Sequence, residues 1–326
     1  MTRLAWIAVV LFACGDDSGI VDSAMVDAGV VDATVDGTVD ASTDAPVEDA
    51  STDIGTLDAR DDAPDVAPGC TPTAATETRT LDYDGAEREY VLHVPASATP
   101  SNALVFDLHG FTETPDRQDG RSDMRAKADL EGFVLVQPRG QGSSWNGGAC
   151  CGAASQDDVG LLRAIADAIA VETCIDRARV YVAGMSNGGF LAYRAACEAA
   201  DFVAAIAPVA GVLGIDESAC TPSRPVPVMH FHGTSDFIVP YDGNAFLSYP
   251  SVDDTIAFWR STNSCGDASS ITYDEGNTEC ETWACAADTE VTLCTSTGFG
   301  HDWPDGGSNI DATDAMWSFF ERHRLP

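Results

Sequence analysis

Gly184-Met185-Ser186-Asn187-Gly188-Gly189 places a serine between glycines two residues to either side. Residues 179–183 before it are composed as a strand, and residues 190–196 after it as a helix. Strand, sharp turn and helix, with the serine at the tip, is the pattern of a nucleophile elbow. Such a turn holds its serine in a strained backbone conformation, and side chains at the flanking positions would collide with the neighbouring elements. Its hydroxyl would then sit at the positive end of a helix, where a developing oxyanion is stabilised.

A serine nucleophile needs a base to take its proton and a carboxylate to hold that base in one tautomer. After an elbow of this kind the partners follow in chain order, carboxylate then histidine. Of six histidines, His230, His232, His301 and His323 come after Ser186. His323 falls near the end of an amphipathic helix and is expected at the surface. His230 and His232 share one face of an apolar strand by alternation. They read as satisfied core or loop-positioning side chains rather than as a metal pair. His301 lies in Gly298-Phe299-Gly300-His301-Asp302-Trp303-Pro304, directly after the last strand. A loop bracketed by glycines lets a base reach over a sheet edge, so His301 is the expected base. Asp236, in His232-Gly233-Thr234-Ser235-Asp236 after the strand-like run 226–231, is the expected carboxylate, with Asp242 in reserve. The oxyanion should be held by the backbone N–H of Asn187 and by that of Phe111, which follows Leu108-His109-Gly110 at the end of an early strand. Gly110 would allow close backbone approach there, and the His109 imidazole is read as structural.

From residue 70 onward, strand-like runs (88–94, 103–108, 133–137, 179–183, 203–209, 226–231, 290–295) alternate with helix-like runs (122–130, 157–172, 187–199, 252–262, 311–323). Continuously apolar strands suit a parallel sheet covered on both faces, and the alternation predicts a mostly parallel, doubly wound α/β fold. Asp157 and Asp158 open the second helix, where acids favour its dipole; most other acids read as solvated surface charge. Residues 263–289 are polar, carry cysteines and are rich in turns. They are expected to form an irregular excursion or a short hairpin stapled by disulfides.

The front of the 326-residue chain reads differently. Residues 1–13 carry Arg3 and an apolar run, as a secretory signal does. That run ends in Leu11-Phe12-Ala13-Cys14, which resembles the lipobox of bacterial lipoproteins, with Cys14 the residue lipidated. Between residues 15 and 69 Val-Asp recurs five times, no aromatic residue appears and Arg60 is the one base. Mutual repulsion of acids and the lack of core-forming residues predict a disordered linker over 14–69, spanning on the order of 40 Å. The folded domain is expected over 70–326.

A formal net charge of −35 argues against nucleic acid as a partner and against docking on anionic lipid through surface charge. Contact with a membrane is expected only through the N-terminal lipid, and the protein is expected to be a monomer. Ten cysteines remain beyond Cys14, an even set that suggests disulfides in an exported protein. Spacing leaves their connectivity open. Cys150 and Cys151 are expected to pair outward, because a bond between neighbours strains the intervening peptide. No paired CxxC pattern calls for zinc, no phosphate loop or dinucleotide fingerprint appears, and no metal or cofactor is expected.

Six runs taken in order, Leu108-His109-Gly110, Trp145-Asn146 with Cys150-Cys151-Gly152, Asp157-Asp158-Val159-Gly160, the elbow, His232–Asp236 and Gly300–Pro304, carry a resemblance. From about residue 80 to its end the chain is similar to the polyhydroxybutyrate depolymerase and feruloyl esterase family of secreted α/β-hydrolases. The resemblance implies an α/β-hydrolase fold and a serine esterase with Ser186, Asp236 and His301 as the triad. It implies action on feruloyl or acetyl esters of polysaccharides, or on hydroxyalkanoate esters. No polymer-binding module like that of polymer-degrading members is expected, which favours soluble or oligomeric substrates. Trp145 and Trp303 are expected to line the acyl pocket, since aromatic faces suit hydroxycinnamoyl or sugar groups. The rival readings are a serine peptidase of the same fold and a non-catalytic surface binding protein on a hydrolase scaffold.

Overall fold

Strand β3 (Asn102–Leu108) is buried at every position, because its side chains alternate between two apolar layers. Leu104, Phe106 and Leu108 pack into one layer, Ala103 and Val105 into the other. The protein is seen here in a computed structural model that describes residues 69–151 and 155–326. The leader 1–13, Cys14 and the linker up to residue 68 lie outside the described residues.

β3 belongs to a sheet with β1 (Ala75–Tyr83), β2 (Ala86–Val94), β4 (Val134–Pro138), β5 (Ile175–Met185), β6 (Ala205–Val209), β7 (Val228–Gly233), β8 (Ser269–Glu275), β9 (Thr278–Ala284) and β10 (Glu290–Ser296). The strand order is β1-β2-β4-β3-β5-β6-β7-β10-β9-β8. From β4 to β10 every neighbour is parallel, and an antiparallel pair closes each side. The parallel arrangement puts the C-terminal ends of β3, β5, β7 and β10 on one edge, where a ligand site belongs in an open α/β sheet.

Helices α1 (Pro115–Ser122), α2 (Met124–Glu131), α3 (Asp158–Thr173), α4 (Asn187–Glu198), α5 (Val252–Thr262) and α6 (Ala312–Phe320) accompany these strands. Leu161, Leu162, Ile165 and Ile169 form the buried stripe of α3 and pack with α4 and Trp259 of α5 in one layer. Met124 and Ala128 of α2 meet Met316, Phe319 and Phe320 of α6 in the other. This is the doubly wound architecture the sequence predicts.

Several expectations are corrected. A single helix over 122–130 is replaced by two, because Asp123 adopts a left-handed conformation with φ 50° and breaks the path between α1 and α2. The last helix stops at Phe320, and His323 is buried rather than at the surface, its Nε2 3.0 Å from Glu290 Oε1. β1 was not expected. Its residues are polar and mostly exposed, and it is held by full pairing with β2 across the Asp84-Gly85 turn. Both turn residues have positive φ, as a two-residue hairpin of matching twist requires. Asp158, in the first turn of α3 as expected, is also held by specific partners. It accepts from Arg88 Nη2 at 2.7 Å and from the Asn146 N–H at 2.8 Å, which satisfies a carboxylate that is almost fully buried.

The polar run 263–289 contains β8 and β9, a hairpin added to the edge of the sheet. Cys265–Cys285 and Cys280–Cys294 staple it, as expected, and Cys70–Cys174 and Cys197–Cys220 close further loops. Outward pairing of Cys150 and Cys151 is overturned. The other eight cysteines of the domain are paired among themselves, so these two bond to each other, across a cis peptide with Cα atoms 3.3 Å apart.

Asp107 shows how β3 is fastened to its surroundings. Gln118 Nε2 of α1 donates to it at 2.7 Å, Ser122 Oγ at 2.9 Å and Gln137 Nε2 of β4 at 3.0 Å. Burial nonetheless pushes its carboxyl up to about 6. Asp107→Asn sets an amide group against these donors and should cost ~1–3 kcal/mol of stability in urea unfolding. For the vicinal pair, peptide mapping without reductant should release one peptide carrying both Cys150 and Cys151, lighter by two hydrogens and joined to no other; a cross-link to any other cysteine contradicts this pairing.

Candidate active site

Ser186 follows β5 and caps α4 with φ 54° and ψ −117°, the strained conformation an elbow demands. Its N–H donates to Val209 O of β6 at 2.8 Å, and its carbonyl accepts from Phe190 N at 2.9 Å. The turn lies hard against the end of β3. A Cβ on Gly184 would fall 2.6 Å from the carbonyl carbon of Gly188, and one on Gly188 would strike the Leu108 carbonyl. Only hydrogen at both positions allows β5 and α4 to meet at this angle.

The loop after β3 passes beside the serine, and a Cβ on Gly110 would stand 3.7 Å from Ser186 Cβ. His109 is buried and organises this loop. Its Nε2 accepts from Gly140 N at 3.0 Å, so its Nδ1 carries the proton and donates to Gly110 O at 2.7 Å. Burial lowers the imidazole pKa and keeps it neutral, against the opposing pull of the Gly110 carbonyl. The Gly110 N–H is taken by Glu113 Oε2 at 3.2 Å, and that of Thr112 by Ser143 O at 2.8 Å. The Phe111 N–H between them donates to nothing among the described residues. The Asn187 N–H stands at the open N-terminus of α4. These two are the groups the sequence nominates for the oxyanion.

Asp236 lies three residues beyond β7 and is buried. Its Oδ1 accepts the N–H groups of Ile238 and Val239, each at 2.8 Å, and its Oδ2 accepts His301 Nδ1 at 2.6 Å. Burial opposes the charge, but hydrogen bonds from His232 and His301, the His301 charge and the Val239 N–H outweigh it. The carboxyl is therefore held well below the usual carboxylate range. The two loops are tied together. Ser235 N donates to Phe299 O at 2.8 Å, Thr234 N to Ser296 O at 3.0 Å and Gly298 N to Thr234 Oγ1 at 2.9 Å. His301 stays partly open to solvent on this edge. The reserve residue Asp242 is exposed and lacks these partners.

Three features were not foreseen. Arg121 of α1 grips Glu113 with Nη1 and Nη2 at 2.7 and 2.8 Å, and its Nε reaches Asp302 Oδ1 at 3.0 Å. This clamp joins the loop after β3 to the loop of His301. The Asn187 side chain accepts Trp145 N at 2.7 Å and donates to Trp145 O at 3.0 Å, binding the vicinal-cysteine loop to the elbow. His232 reaches Asp236 from behind, 3.4 Å from Oδ2. Only the spacing His232–Asp236 in the sequence hinted at this last contact.

The tryptophans are corrected. Trp145 is fully buried, with its Nε1 donating to His109 O at 2.9 Å and its ring 4.8 Å from the His109 imidazole. It braces the loop and offers no face to an acyl group. Trp303 is 2 % exposed and donates to Thr313 Oγ1 at 3.0 Å. One edge of it reaches a cavity of 470 Å³ that Arg121, Phe299 and Asp302 also line. A larger cavity of 690 Å³, among Arg163, Arg177, Arg224 and Arg324, is lined by none of Ser186, Asp236 and His301.

Sheet order, elbow and carboxylate–histidine pair define an α/β-hydrolase. Residues 88–270 match the model of the esterase PHB depolymerase family, and the chain belongs to that family. It is 30 % identical over 257 residues to feruloyl esterase B of Piromyces equi, covering 73 % of this chain and 46 % of the relative. Against the bifunctional acetylxylan esterase/xylanase XynS20E of Neocallimastix patriciarum it is 35 % identical over 161 residues, 48 % of this chain and 22 % of the relative. The chain thus spans less than half the length of both relatives. The solved acetyl xylan esterase from Aspergillus awamori superposes with a TM-score of 0.55 at 15 % identity, over 75 % of this chain and 99 % of that one, which establishes the shared fold.

The elbow contact can be tested directly. Gly188→Ala forces the turn away from β3 and should cost ~1–3 kcal/mol in thermal or urea unfolding, with most activity lost. A variant as stable as the parent would show that the contact is loose.

Proposed function

We propose that the chain is a serine carboxylic-ester hydrolase acting through an acyl-enzyme. The observation that carries this reading is the 2.6 Å bond from His301 Nδ1 to the buried Asp236, on loops fastened at the same sheet edge as the strained Ser186. Ser186 Oγ attacks the ester carbonyl while His301 Nε2 takes its proton. Asp236 holds the imidazole in that tautomer and stabilises the imidazolium. The N–H groups of Asn187 and Phe111 receive the oxyanion. His301 returns the proton to the departing alkoxide, and a water molecule then repeats the sequence on the acyl-enzyme. No step requires a cofactor.

Feruloyl and acetyl esters of polysaccharides, or hydroxyalkanoate oligomers, are the proposed substrates. The feruloyl and acetylxylan esterases among the relatives support this, as does the family to which the chain belongs. The exposed side chains of Phe111, whose N–H is nominated for the oxyanion, and of Phe237, which follows Asp236, give an apolar rim suited to such groups. Five disulfides support an exported protein. We extend the proposal to Cys14 as a lipid anchor and to 14–69 as a spacer carrying a monomeric domain.

The protein should hydrolyse short-chain p-nitrophenyl esters. Ser186→Ala should lower kcat by at least about a thousandfold, and Asp236→Asn by a factor on the order of 10⁴. Retention of parental rates by Ser186→Ala would remove the serine mechanism. Faster turnover of matched anilides than of esters would point to a peptidase.

A further inference from the structure

Behind Asp236 lies a chain of buried polar side chains that the reaction as written does not use. His232 Nε2 is 2.8 Å from Val239 O, a group that only accepts, so Nε2 carries the hydrogen. In the neutral ring Nδ1 is then bare, and it accepts from His230 Nε2 at 3.0 Å. That fixes the His230 proton on Nε2 and leaves its Nδ1 to accept the Tyr193 hydroxyl at 2.7 Å. All three side chains are buried. The two imidazoles stack with centroids 5.2 Å apart, and Tyr193 is held between His230 and Trp259 of α5. Every proton in the series is directed the same way, from α4 through β7 to the Val239 carbonyl beside the carboxylate.

The last N–H of this series bonds to Val239 O, and its nitrogen lies 3.4 Å from Asp236 Oδ2, the oxygen that also receives His301 Nδ1. We propose that Tyr193, His230 and His232 are a positioning relay that presents a second N–H to Asp236 and so sets how strongly that carboxylate polarises His301. The proposal rests on Asp236 being the orienting carboxylate. Aligned hydrogen bonds in a region without water strengthen one another, so the end of the series is a better donor than an isolated imidazole. Burial supports fixed protonation: the His230 pKa is driven well below its ordinary value, helped by the neighbouring His232, and that of Tyr193 is driven well above. Neither side chain exchanges its proton in the working range.

The surroundings contain little else that titrates. Tyr241 meets His232 edge-on at 5.8 Å and bonds to Thr295 of β10. Asp242, Asp253 and Glu281 act on Tyr241 from farther away. His301 faces Asp236 from the solvent side, and no lysine or arginine pairs with Asp236, His230 or His232 among the described residues.

Removing the relay should leave more of the negative charge of Asp236 on the His301 bond, which favours the imidazolium. His232→Phe should therefore move the acid limb of the kcat/KM profile to higher pH by about half a unit or more, with a lower plateau. His232→Gln, whose amide can restore an N–H at the Nε2 position, should return the limb toward that of the parent. Tyr193→Phe should shift the limb in the same direction by less, because it frees the His230 tautomer. Long-range 1H–15N correlation spectra of the parent protein should show both rings as Nε2–H at neutral pH, and this holds whatever the substrate. An Nδ1–H ring at either position, or a His230 ring titrating between about pH 5 and 8, overturns the proposal. So does a folded His232→Phe whose acid limb has not moved. Absence of all ester hydrolysis in the parent would instead refute the enzymatic reading, while the tautomers would still decide whether the relay exists.

Discussion

The contact between the turn after β5 and the end of β3 governs this site. Gly188 lies so close to the Leu108 carbonyl that hydrogen alone fits there. From this approach follow the strained Ser186 and the placement of Gly110 beside its Cβ. Nearby polar groups keep the approach fixed. His109 holds the loop after β3 through Gly110 and Gly140, Trp145 covers His109, and Asn187 holds Trp145 from the helix. The elbow and the loop after β3 are therefore one packed unit.

A second constraint is electrostatic. The chain is strongly acidic, yet its buried carboxylates are the ones most fully provided with donors. Asp236 receives two backbone N–H groups and an imidazole, Asp158 an arginine and a backbone N–H, and Asp107 three neutral side chains. Their responses differ because the donors differ. Neutral donors do not offset burial at Asp107, whereas the cationic form of His301 helps to hold Asp236 ionised. In the proposed reaction Asp236 can thus keep its charge while His301 gains and loses a proton.

The local signals of chemistry were legible in the sequence. The elbow, the Asp236–His301 pair, the parallel core and the stapled hairpin could all be read from motif, order and apolar pattern. Features set by long-range pairing could not. β1 is polar because one side of the sheet ends there, and its single clue was the Asp84-Gly85 turn. Asp123 breaks a run that helix propensity would continue. Trp145 was assigned to substrate because an aromatic ring near a catalytic motif serves packing or binding equally well, and only burial distinguishes them. Arg121 and Glu113 touch through folding alone, so nothing in the spacing of the relevant loops announced their clamp. The vicinal pairing of Cys150 and Cys151 depended on where the other eight cysteines found partners.

The two outermost strands have a consequence for how the molecule meets its neighbours. β1 and β8 present Glu77, Asp82, Asp274 and Glu275 along rims whose backbone groups are otherwise open to pairing. A strand arriving from another copy would bring like charge against these carboxylates and would have to strip water from them. β8 is also the far leg of a hairpin fastened through Cys280–Cys294 to β10, so it cannot easily peel away to seek another partner. Acid residues on both flanks thus disfavour edge-to-edge pairing of the sheet.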